Sequence, residues 1–158
     1  MQKFIFLSSG ALGGGSELAM ACDFRLVTSD TRGIGFVHSR MGITPAWGGC
    51  TRLVHTIGYT KALDLLATGR MVSGEEALHI GLANGIVDTK NALTEALEWL
   101  KVRTNCDTGV LKSLKVMAHN AKEMNKQESL AEEKRLFAPL WGGPANLSAL
   151  TQNIKHKY

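Results

Sequence analysis

The sequence is poor in the features that staple, span or chelate. Three cysteines occur in 158 residues, Cys22, Cys50 and Cys106. The odd count and the absence of a C-x-x-C pair argue against a disulfide framework or a zinc site and favour a reducing compartment, the cytosol. Cys22 and Cys50 are read as small buried residues. No apolar run approaches the ~20 residues that cross a bilayer, so no membrane association is expected. Residues 1–9 have an apolar core too short for a signal peptide and run into glycines, so they read as a strand. Positive charge is in mild excess, +4, with no basic stripe interleaved with aromatics, and nucleic acid is not expected as a partner. The lysines are spread along the C-terminal helical part, as on a solvated face.

What is present is an ordinary globular composition, 44% hydrophobic and 20% charged, enough to bury a core. The apolar run Phe4 to Leu7 predicts a buried strand entering a tight turn at Ser8, Ser9 and Gly10. A short helix is expected over 16–21, an alternating strand over 23–28 and a second short strand over 33–37. Helical spacing follows over 48–57 and 60–68, closed by Gly69. Ser73 and Glu76 form a capping box in which the Glu76 carboxylate reaches back to its own N-cap. Residues 85–87 read as a strand. Beyond Asn91 the pattern is helical throughout, with apolar stripes Leu93–Leu97–Leu100, Leu111–Leu114–Met117 and Leu130–Phe137–Trp141. Gly142, Gly143 and Pro144 interrupt it before a last short helix. The composition shifts near Asp88, from glycine-rich α/β to lysine-rich helix, which places a boundary between 1–90 and 91–158. One strand and two short ones do not make a sheet covered on both faces, so the first strand is expected to lack partners.

The chemistry centres on Gly13, Gly14, Gly15, Ser16 and Glu17. Glycines at a strand-to-helix junction leave backbone N–H groups free at the positive end of a helix. The G-x-G-x-x-G fingerprint is absent, and no lysine follows the last glycine as a phosphate loop requires. Glu17 already occupies the positive field and repels a second anion. The arrangement suits a neutral carbonyl that becomes an oxyanion, with an acid beside it. A plain helix start with a first-turn acid is the other reading of the same residues.

The longer string GALGGGSELAMACDFRLVTSD, then FVHSRMGITPAWGG, TRL and ATGRMVSGEEALHIGLANGIVD, resembles the crotonase (enoyl-CoA hydratase/isomerase) superfamily over residues 10–88. The resemblance implies an α/β fold: part of a crotonase-type ββα spiral over 1–90, without its N-terminal turns, followed over 91–158 by a helical oligomerisation region. It implies an acyl-CoA substrate and assembly as a homotrimer or dimer of trimers. By that resemblance Gly14 supplies an oxyanion N–H, Glu17 is the catalytic acid and Gly13 lines the substrate. Aligning on Gly42, Pro45, Gly48 and Gly49 puts His38 where hydratases of the family carry a second catalytic Glu. His38, Trp47 and the tail Leu140 to Leu147 point to a decarboxylating member, acting on malonyl-type thioesters with a methyl or ethyl branch.

That exchange has a physical reason. A hydratase holds water between two carboxylates, whereas a decarboxylase must admit a substrate carboxylate there. Two like charges about 4 Å apart repel by roughly 4 kcal/mol at an effective dielectric of about 20. A histidine removes the repulsion and, when protonated, attracts. His38 also reads as a satisfied polar residue at a strand end, and Trp47 as either pocket wall or core. Trp99 and Trp141 fit core or subunit packing. His55, His79, His119 and His156 have no partners at metal spacing and read as surface; no metal is expected. No cofactor is expected either, since the thioester is the electron sink. The family's other oxyanion N–H and much of its coenzyme A site belong upstream of this chain's first residue, so the chain is expected to be a fragment or the product of an alternative start, inactive alone. Hydratase or isomerase activity, and a non-catalytic subunit assembling with longer copies, are the alternatives.

Overall fold

The computed structural model describes residues 2–152. The chain forms two compact units, Gln2–Leu100 and the residues from Lys101 onward.

In the first unit β1 (Phe4–Leu7), β3 (Phe24–Thr28) and β6 (Gly85–Val87) form a parallel sheet in the order β1-β3-β6. Phe4 is in register with Phe24, and Leu26 with Gly85. A second sheet joins β2 (Ala11–Leu12), β4 (Ile34–Gly35) and β5 (Met71–Val72), with β2 parallel and β5 antiparallel to β4. The first strand thus has a partner. Successive strand residues face opposite ways, and β3 uses this: Leu26 and Val27 are both fully buried, in different clusters.

Val27 joins the main core with Leu7, Phe36, Leu53, Leu65 and Val72. Helices α1 (Gly14–Met20), α2 (Gly49–Ile57), α3 (Tyr59–Thr68) and α4 (Gly74–His79) contribute Ala19, Leu53, Leu65 and Ala77 to it. Leu26 joins Val87 and the start of α5 (Ala92–Thr104), where Ala92 and Ala96 pack beside Trp99. Both faces of the sheet are therefore covered. The expected leucine stripe of α5 is reversed: Leu93 and Leu97 are exposed and the alanine face is buried. Small side chains let the helix lie close to the strands, and Trp99 supplies the bulk against Phe4 and Phe24, with ring centroids 6.1 and 5.4 Å away. This contact carries the compact unit on to Leu100, past the compositional shift at Asp88.

Buried polar groups fasten the unit. Arg25 is buried and donates to the carbonyls of Leu82 (2.8 Å) and Cys22 (2.7 Å), while its own N–H donates to the Asn84 side chain at 2.8 Å. Burial holds its guanidinium pKa below the usual value, yet an arginine stays charged. Ser73 caps α4 by accepting from the Glu76 N–H at 3.2 Å, as expected. The Glu76 carboxylate does not reach back: it pairs with Arg70 at 2.7 and 3.0 Å. A bidentate guanidinium outcompetes a backbone N–H for a carboxylate.

The second unit contains α6 (Thr108–Glu123), α7 (Lys126–Phe137) and α8 (Pro144–Thr151). Asp107 and Asn125 cap the first two, accepting from Gly109 and Val110 and from Glu128. Pro144 opens the third. Of the expected stripes, Leu114, Leu130, Phe137 and Trp141 lie exposed, the last two with ring centroids 5.4 Å apart. Among the described residues no helix is long and apolar enough to cross a membrane.

Candidate active site

The glycine triplet carries the chain from β2 into α1. Gly13 has φ 52 and ψ −121, and no side chain caps the helix. The Gly13 N–H donates to the Gly35 carbonyl at 2.9 Å, so it is not free for a ligand. Gly14 opens the helix, where an N–H has no intrahelical acceptor. Ser16 is buried, its hydroxyl directed at the carbonyls of Ala11 (2.8 Å) and Gly35 (2.9 Å), and it ties α1 to β2 and β4.

Glu17 follows one residue later and is only 2% exposed. Its Oε2 accepts from the backbone N–H groups of Trp47 at 2.7 Å and Gly49 at 3.0 Å. Its Oε1 lies 3.0 Å from His38 Nε2. Burial is the largest influence on the carboxyl and pushes its pKa up. The N–H groups of Gly49, Trp47 and Ala46 and the charge of His38 together outweigh it, and the net pKa falls below the usual carboxylate value. Glu17 is therefore an ionised carboxylate with both oxygens in use.

His38 sits on a short 3₁₀ helix, Val37–Met41, closed by Gly42 in the left-handed conformation. The expected strand over 33–37 is confined to Ile34 and Gly35. The side chain is buried. Because Glu17 accepts, His38 Nε2 donates to it. His38 Nδ1 is the one buried side-chain nitrogen or oxygen without a partner among the described residues. Such an atom costs about 1–3 kcal/mol if left dry and unpaired.

Trp47 is 62% exposed, so it is not core. Its ring lies against Gly14: a methyl group placed on Gly14 would fall 2.6 Å from the indole Cζ3. Arg52 fixes the loop by donating to the Trp47 carbonyl at 2.7 Å. Gly14, Glu17, His38 and Trp47 are thus brought together, and Gly13 adjoins them through the chain. Sequence reasoning missed the N–H groups of Trp47 and Gly49 as ligands of Glu17. The G-x-x-P-x-x-G-G turn signals a loop, but main-chain donors carry no residue identity. His55, His79 and His119 are exposed, as expected for surface residues, and His156 lies outside the described residues. Cys50 and Cys106 are exposed and Cys22 is partly so, contrary to the expected burial of Cys22 and Cys50. Cys50 is on the exposed side of α2 and Cys22 lies just past the end of α1, and Leu53 and Ala19 fill the core from these helices.

Glycines that admit a ring and a carboxylate, and a buried carboxylate–imidazole pair, make up the candidate site on this ββα framework. The enoyl-CoA hydratase/isomerase family model matches residues 7–141, and the chain belongs to that family. It is 43% identical over 149 residues to ethylmalonyl-CoA decarboxylase of Xenopus laevis, covering 93% of this chain and 50% of that protein. The ethylmalonyl-CoA decarboxylase of Gallus gallus is 45% identical over 148 residues, covering 92% and 49%. Among solved structures, an enoyl-CoA hydratase from Geobacillus kaustophilus matches with a TM-score of 0.84 at 27% identity, over 95% of this chain and 59% of that one. The Bacillus anthracis enoyl-CoA hydratase matches with a TM-score of 0.85 at 29% identity, over 90% and 55%. The chain spans about half the length of the curated relatives it matches.

Proposed function

We propose that this chain carries part of the active site of a carboxy-lyase that decarboxylates malonyl-type coenzyme A thioesters with an ethyl or methyl branch. The observation that carries this is the buried His38–Glu17 contact of 3.0 Å. Where a hydratase of the family would set two carboxylates around a water, this site has one carboxylate, held by main-chain donors, and an imidazole. Likeness to relatives named ethylmalonyl-CoA decarboxylase supports the same reading.

The substrate thioester carbonyl is directed to the Gly14 N–H, with Trp47 walling the acyl group. Its carboxylate stands perpendicular to the thioester plane beside His38. The bond between the α-carbon and the carboxylate breaks, carbon dioxide leaves, and the electron pair passes to the thioester oxygen as an enolate. The N–H at Gly14 stabilises that charge, and a proton returns to the α-carbon. No metal or cofactor enters this scheme.

An oxyanion hole of this family takes two N–H donors, and removing one costs on the order of 3 kcal/mol, a hundredfold or more. The apolar surface around Leu114, Phe137 and Trp141 supports assembly with other copies as a trimer or dimer of trimers. The test offers ethylmalonyl-CoA and crotonyl-CoA to the chain alone and to the chain mixed with a variant of the Gallus gallus relative that has lost its own activity. Carbon dioxide release that depends on this chain's His38, without hydration of crotonyl-CoA, supports the decarboxylase. Hydration without carbon dioxide assigns the hydratase instead, and neither activity in either mixture assigns a non-catalytic subunit.

A further inference from the structure

Glu17 and His38 were both expected to be catalytic, yet their surroundings divide the work between them. We propose that Glu17 is a positioning residue that does not meet the substrate, and that Nδ1 of His38 is the atom that hands the proton to the substrate α-carbon. The inference rests on the decarboxylase reading for its substrate, but not for its geometry.

Both oxygens of Glu17 are engaged. Oε2 holds the Trp47 and Gly49 N–H groups at 2.7 and 3.0 Å, and Oε1 holds His38 Nε2 at 3.0 Å. Oε2 is filled, and the acceptor position that remains is on the oxygen already turned to His38. His38 is arranged the other way. Nε2 is committed to Glu17, and Nδ1 is buried without a partner among the described residues. A carboxylate that accepts from one ring nitrogen fixes the tautomer, so the other nitrogen takes and gives the proton.

The step then balances. The imidazolium of His38 carries protons on both nitrogens. After carbon dioxide has left, the enolate electron pair forms the new C–H bond at the α-carbon with the Nδ1 proton. The electrons of the broken N–H bond remain on Nδ1. The product imidazole keeps its Nε2 proton on Glu17, and solvent restores the Nδ1 proton for the next cycle. Before the step, the same Nδ1–H is placed to donate to the departing carboxylate.

The test is a nitrogen-15 spectrum of the histidine-labelled chain, wild type, Glu17→Gln and Glu17→Asp, with and without a coenzyme A thioester whose malonyl carboxylate is replaced by a sulfonate. The wild type is expected to show a proton fixed on Nε2 of His38. Glu17→Gln is expected to lose that tautomer and Glu17→Asp to restore part of it. The sulfonate thioester is expected to move the Nδ1 resonance and leave Nε2 in place. In the active mixture described above, Glu17→Gln should lower kcat at least about tenfold with little change in KM. An Nε2 without its proton in the wild type, a spectrum unaffected by Glu17→Gln, or an Nδ1 resonance unmoved by the thioester overturns the proposal. Carbon dioxide release with an unmoved Nδ1 sinks the proton-donor role and leaves the decarboxylase reading standing. The expected tautomer without carbon dioxide release sinks the decarboxylase reading and leaves Glu17 as the positioning residue.

Discussion

Gly49 and Glu17 touch across the site so closely that a methyl group on Gly49 would lie 2.5 Å from the Glu17 Cγ. The carboxylate is lodged because residue 49 has no side chain. Gly49→Ala is therefore expected to push Glu17 off its backbone donors. The cost should be about 1–3 kcal/mol of overpacking, read as a lower urea midpoint, together with loss of the His38 tautomer.

Trp47 makes the opposite case. Its main-chain N–H holds Glu17, but its ring is largely exposed and covers Gly14. Trp47→Ala keeps the N–H and removes only the ring. Stability should stay within about 0.5 kcal/mol, while acyl-CoA affinity measured by calorimetry falls.

The lowered pKa of Glu17 links the site to acid stability. A depressed carboxylate stabilises the fold fully above its unfolded pKa, and that stability is lost as pH falls through the folded value. Urea unfolding of the wild type should weaken progressively below the usual carboxylate value of 4.5. Glu17→Gln should be less stable than wild type at pH 7, and the gap should narrow on acidification.

Arg25 offers a prediction away from the site. Arg25→Met would leave the Leu82 and Cys22 carbonyls without their donor. Unpaired buried acceptors cost about 1–3 kcal/mol, so the urea midpoint should drop with His38 spectra unchanged.

Much of this architecture is legible from residue patterns. The runs at Phe4 to Leu7 and Gly85 to Val87, and the Ser73 cap, all appear where the pattern puts them. What is not legible shares one cause: the choice among several partners of like chemistry. Glu76 had its own N-cap or Arg70 to bind, and only three-dimensional proximity selects Arg70. Leu93 and Leu97 outrank alanine in hydropathy, yet close approach to the sheet selects Ala92 and Ala96. The chemistry of Glu17 is hidden for the same reason, since its binding partners are peptide groups. A motif locates the carboxylate and gives no sign that both its oxygens are already engaged.

The alanine face of α5 decides where the chain can be trimmed. Cutting after residue 90 would strip Ala92, Ala96 and Trp99 from the sheet and leave Leu26 and Val87 facing water. A protease acting there would release a sticky, aggregating product, whereas one acting just beyond Leu100 would leave a sheet still sealed on both sides. The boundary between the two compact units therefore lies inside a continuous helix, where neither glycine nor proline marks it.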